Sequence, residues 1–351
     1  QEMAPTLSEH NDNIYLNDAL FKKVKAVYDQ YQVAKPETMK LTTEQQMLLN
    51  ETYKRFVRSG ANLTQENKEQ LKKYNSELSV LSLKYGDNLL NETNNYELVI
   101  DKKEELAGLP QELIDAAAAD AKAKGKEGKW VFTLSNSSVM PFLQYAANRE
   151  LRETMLNAYQ MRGNQNNESD NKDIALKIAN LRMQKAQLLG YKNHAEYVLE
   201  ESMAKNPEAV NNILMKLWTP ALEKAKKEAT DIQEMMRKEG INEDVTPADW
   251  RYYTEKIRKE RFNLDEQELK PYFSLENVRN GVFDVTTKLW GITYKELNNV
   301  PKYHEDVTVW EVFDANKKTL GLLYMDMHPR ASKRGGAWMT SYREQQMENG
   351  K

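Results

Sequence analysis

Residues 64–89 read TQENKEQLKKYNSELSVLSLKYGDNL. Leu71, Tyr74, Leu78, Leu81, Tyr85 and Leu89 recur at steps of three and four, so they share one face of a helix, with Lys72, Lys73, Asn75, Ser76 and Ser79 on the other. Thr64 stands where a hydroxyl can accept from the first free amides, as an N-cap does. The spacing predicts a long helix with one buried stripe. The same punctuation returns at Leu109-Pro110, Asn206-Pro207 and Thr246-Pro247, where proline suits a first helical turn because its missing N–H has no partner there anyway. Gly125 and Gly240 each follow a polar helical run and read as left-handed closing residues. With only 14 glycines and 10 prolines in 351 residues, long helices dominate the reading.

Two short interruptions at 96–100 and 130–134 read as extended segments that pair around the alanine-rich helix of 111–124. A switch to period two occurs at Val307 to Phe313, followed by the turn Asp314 to Lys318 and a second run from Thr319 to Met327, which together predict a β-hairpin. Beyond it lies Lys333-Arg334-Gly335-Gly336-Ala337-Trp338-Met339. A glycine pair lets one backbone approach another, and Ala-Trp-Met suits a half-buried edge strand, so the segment is a candidate for presenting main chain to an extended peptide.

Composition narrows the partners. Charged residues make up 29% and the balance of 50 Lys and Arg against 53 Asp and Glu leaves a net charge of -3, which gives no reason to expect nucleic acid or an anionic membrane. No apolar run approaches the roughly 20 residues a membrane-spanning helix needs. The absence of cysteine rules out disulfides, thiol catalysis and Cys-ligated metal, and leaves cytoplasm and bacterial periplasm equally open.

Four histidines, His10, His194, His304 and His328, are the natural candidates for metal or acid–base chemistry. None has a second histidine four residues away with a glutamate between, the arrangement a zinc-peptidase helix requires. Only His328 sits near the glycine pair, next to Pro329 at the end of a predicted strand. The residues taken alone define a mostly helical globular protein with a terminal hairpin, and leave open a non-catalytic helical module that binds peptides or proteins.

Five segments in order change that reading. His10 to Phe21 (HNDNIYLNDALF), Met203 to Ala209 (MAKNPEA), Asp265 to Phe273 (DEQELKPYF), Val309 to Asp314 (VWEVFD) and the glycine pair resemble peptidyl-dipeptidases, also called dipeptidyl carboxypeptidases, of the thimet oligopeptidase and neurolysin group of zinc metallopeptidases. The resemblance covers nearly the whole chain. It implies a mainly helical, zincin-like oligopeptidase: a helical lobe over 1–300, and over 301–351 a β-hairpin with the start of a catalytic domain. It also implies a monomeric enzyme that takes short, unstructured peptides and removes two residues from a free C-terminus. In such enzymes two histidines of an HExxH helix and a downstream glutamate hold zinc, and the motif glutamate acts as general base. The expected position of that helix is beyond Lys351, so this stretch is expected to hold no zinc and to be inactive alone. Gly335, Gly336, Ala337 and Trp338 are the residues the resemblance assigns to substrate, as a strand beside the zinc helix.

Overall fold

The computed structural model describes residues 3–33, 39–263 and 265–344. Helices α1 (Met3–Tyr15), α2 (Asp18–Val33) and α3 (Thr43–Arg58) precede the 31-residue α4 (Gln65–Asn95), the helix that the 64–89 spacing predicts. Its start is as expected: the Thr64 side chain accepts from Asn67 N at 3.3 Å. Its stripe is covered unevenly. Leu71 is 1% exposed, whereas Tyr85 is 36% exposed and the residues between are half-buried. The side read as polar is used for packing as well, because Asn75 bridges α1 and α8 (Lys172–Leu188), donating to Asp12 at 2.7 Å and accepting from Lys185 Nζ at 2.6 Å.

After α4 the chain turns into β1 (Leu98–Ile100), crosses α5 (Gln111–Ala123) and returns as β2 (Trp130–Phe132). The two strands pair antiparallel with Leu98 opposite Phe132, as the extended segments predict. Gly125, at φ +71°, closes α5: its N–H donates to Lys122 O, and Lys126 N–H reaches back to Ala121 O at 2.8 Å. On this ribbon pack α6 (Asn136–Tyr145) and α7 (Arg149–Gln160), and the largest core lies here. Phe132 and Phe142, both 0% exposed, meet edge to face at 4.8 Å.

Past α8 and α9 (His194–Leu199) runs the 32-residue α10 (Pro207–Lys238), capped by Asn206, whose side chain accepts from Ala209 N at 2.9 Å. Its C-terminal half packs on α11 (Pro247–Phe262) through Ile232, Met236 and Tyr253. Between α7 and α11, Asp249 is 0% exposed and fully satisfied. It accepts from Arg149 Nη2 at 2.8 Å, from Arg152 Nη2 at 3.0 Å, and from the Thr246 amide and hydroxyl at 2.9 Å each.

The short α12 (Glu266–Leu269) leads to α13 (Leu275–Trp290) and a three-stranded antiparallel sheet in the order β3-β4-β5: β3 (Thr293–Glu296), β4 (Thr308–Phe313) and β5 (Thr319–Met325). β4 and β5 are the predicted hairpin. β3 is new: Thr293-Tyr294-Lys295-Glu296 carries no apolar alternation and is a strand because it pairs with β4, Thr293 opposite Phe313. Phe283 of α13 stacks on Tyr294 at 3.9 Å and meets Trp310 at 4.9 Å, fixing helix to sheet. The edge strand expected at Ala337 to Met339 does not form. Residues 335–339 have no ladder partner among the described residues, and Gly336 at φ +109° turns the backbone out of the extended region.

Candidate functional site

The segment singled out by sequence hangs from one carboxylate. Asp326 follows β5 directly and accepts from Arg330 Nη1 at 2.9 Å, Lys333 Nζ at 2.7 Å and the Tyr303 hydroxyl at 3.1 Å. Arg330 first, then Lys333 and Tyr303, hold its carboxyl far below the usual carboxylate range. Lys333 also donates to the backbone oxygens of Asp326 and His328, so the loop is wrapped around this group. Sequence reading missed the cluster, because its members lie on two irregular stretches, one before β4 and one after β5, with no period to reveal them.

From the hub the chain crosses to the helical part. Asn94 of α4 donates to Ala331 O at 2.8 Å, and Arg334 lies 3.4 Å from Asp87. Arg334 sits over Gly86, where a Cβ would come within 2.6 Å of its guanidinium carbon, so a larger residue at that turn of α4 would push the arginine aside. The glycine pair then divides its work. A Cβ on Gly335 would lie 2.8 Å from the side-chain Nδ2 of Asn136 at the start of α6, so the Gly335 backbone passes close to that side chain. Gly336 has open space around it and a positive φ that side chains resist. Ala337 is exposed, and Trp338 and Met339 are 82% and 92% exposed. Gly335, Gly336, Ala337 and Trp338 thus form an anchored loop without a ladder partner among the described residues, in place of the expected strand.

The histidines are scattered. His10 is exposed on α1, and His328 is exposed beside the Asp326 loop. His304 Nδ1 accepts from Asp306 N at 3.2 Å. His194 opens α9 with its Nδ1 buried and unpartnered; burial first, then the charges of Arg182 and Lys185, pushes its pKa down. Among the described residues no three His, Asp or Glu side chains are grouped so that they could hold a metal ion. These residues do not fit a zinc centre.

The sequence pattern of peptidase family M3 matches residues 142–351, more than half of the chain, and the protein belongs to that family. Dipeptidyl carboxypeptidase of Escherichia coli (strain K12) is 36% identical over 350 residues, taking in 99% of this chain and 51% of that protein. Oligopeptidase A of the same organism is 32% identical over 343 residues, 97% of this chain and 50% of the relative. Saccharolysin of Saccharomyces cerevisiae is 27% identical over 345 residues, 94% and 47%. The chain spans about half the length of the curated relatives it matches. The family read from the five segments is the family these matches show.

Proposed function

We propose that this chain is one part of a zinc-dependent peptidase that hydrolyses short, unstructured peptides and releases dipeptides from a free C-terminus. The observation that carries this reading is the 36% identity to a dipeptidyl carboxypeptidase across 99% of the chain, four points above the oligopeptidase A match. In this proposal residues 1–300 form a helical lobe and 301–351 begin the catalytic part, with β3 reaching across from the helical side of that boundary. The zinc and its ligands belong to residues outside those described, and the role of this chain is to bind and orient peptide. Gly335, Gly336, Ala337 and Trp338 serve that role. Two glycines on an anchored loop leave amide and carbonyl groups open to an extended ligand, and main-chain hydrogen bonds hold peptides of any sequence.

The test is an assay of the full gene product on a pentapeptide with a free or an amidated C-terminus. Dipeptides are expected from the free peptide alone, stopping with a chelator and resuming with zinc. Equal internal cleavage of both peptides would replace dipeptide release by oligopeptidase-type cutting, and chelator-insensitive hydrolysis would overturn the zinc reading. Gly336→Val is expected to raise KM about tenfold by closing off one backbone contact.

A further inference from the structure

A helix that is apolar on most of its circumference belongs in an interior. The N-terminal half of α10 has that composition and lies uncovered. Between Ala209 and Leu222 the sole charged residue is Lys216. Ile213, Leu214, Met215, Leu217, Trp218 and Leu222 together sweep about 200° of the helix circumference. Every residue from 211 to 224 is exposed, and these six are between 38% and 62% exposed. α13 repeats the pattern in a narrower form. Its residues Arg279, Phe283 and Thr286 face the sheet, while Leu275, Val278, Val282, Val285 and Leu289 are 43% to 64% exposed. Their spacing of three, four, three and four is that of a seam built to receive another helix.

Monomeric proteins rarely leave contiguous apolar patches of this kind open, so each face implies an occupant. A lipid surface is a poor match for α10, because Lys216 alone does not make the basic face of an interfacial helix. Length indicates a better one. The chain accounts for 51% of the length of the E. coli dipeptidyl carboxypeptidase, which leaves a stretch of similar size to cover it. We infer that the N-terminal half of α10 and the Val282 stripe of α13 are docking faces for the remaining half of the polypeptide that family relatives carry. The inference rests on the reading of this chain as one part of a longer peptidase.

Because the chain has no cysteine, a single introduced thiol reports cover directly. Leu217→Cys and Val282→Cys each probe one face, and Lys122→Cys, on a side chain 74% exposed on α5, is the control. Modification is timed by peptide mass spectrometry in the 351-residue polypeptide and in the full gene product. The two probes are expected to react at least about tenfold more slowly in the full product, with Lys122→Cys unchanged. Equal rates in both polypeptides would overturn the inference. So would protection in the 351-residue polypeptide that deepens with its concentration, which would assign the face to a second copy. Dipeptide release by the same full-length variants separates the two readings: an active enzyme with reactive probes sinks the docking faces alone, and an inactive one with protected probes sinks the peptidase reading alone.

Discussion

In the C-terminal half of α10, Ile232 and Met236 are 1% and 0% exposed where α11 lies across them, whereas Leu217 and Trp218, about four turns upstream on the same helix, are 62% and 59% exposed. Residue type does not explain the contrast, since both halves carry large apolar side chains. What differs is the neighbour. Around Met236 the chain supplies Tyr253 and, packed beside it, Trp250 and Ile257 of α11; around Trp218 every residue from 211 to 224 stays exposed. Helices take most of their stability from such tertiary faces, so one continuous helix joins a closed core to a surface awaiting cover.

The largest effect that separates closed from open regions is expected at Asp249. Replacing it with alanine strands two guanidinium groups, one of them on Arg152 at 1% exposure, and is expected to cost about 3–5 kcal/mol in urea unfolding. Acid supplies an independent check. Burial pushes the Asp249 carboxyl up, but its bonds to Arg149 and Thr246 outweigh burial and leave it below its ordinary value of 3.8. A folded-state value that is depressed means that the contribution is complete above about pH 4 and fades as pH falls through the lowered value. The gap between wild type and Asp249→Ala should therefore stay constant from pH 7 to about 4 and narrow below that. A gap that is unchanged at pH 3 would show that the carboxylate charge is not what holds α7 to α11.

Next in size is the comparison within α10. Met236→Ala is expected to cost about 2–5 kcal/mol, because it empties a packed site. Leu217→Ala is expected to stay within about 0.5 kcal/mol in this chain, as at other surfaces. Equal costs at the two positions would break the contrast and show that the upstream half is covered after all.

How much of this was legible in the sequence depends on how local the cause is. Thr64, Asn206 and Gly125 act through their own neighbouring amides and carbonyls, so the ends they mark are found where the residues place them. The β4–β5 hairpin was legible because alternation and turn lie within twenty residues. β3 was not, since Lys295 and Glu296 become strand only through pairing with Glu311 and Trp310. The error at Ala337 to Met339 is the converse: strand-like residues with no partner to pair among the described residues. In the candidate site, the close approach at Gly335 and the freedom of Gly336 follow from residue type, while the Asp326 hub depends on a loop path that no period encodes. Asn75 belongs with these non-local cases, because its role as a bridge exists only once α1 and α8 flank α4.

The smallest effect tests whether a helix cap reports on the whole fold or only on its own turn. Thr64 and Asn206 make the same kind of N-cap bond, at 3.3 and 2.9 Å, but the first opens α4, whose Leu71 is 1% exposed, and the second opens the uncovered half of α10. Removing either side chain forfeits about 1 kcal/mol of local helix stability. In α4 that loss is coupled to packed neighbours, so Thr64→Ala is expected to lower the global unfolding midpoint by the full amount, and Thr64→Ser to restore it. In α10 the first turns open without disturbing any core. Asn206→Ala is therefore expected to speed amide exchange at residues 209–214 several-fold while leaving the global midpoint unchanged. A matching midpoint loss for Asn206→Ala would mean that the upstream half of α10 already unfolds together with the core, and that the boundary between closed and open surface lies outside this helix.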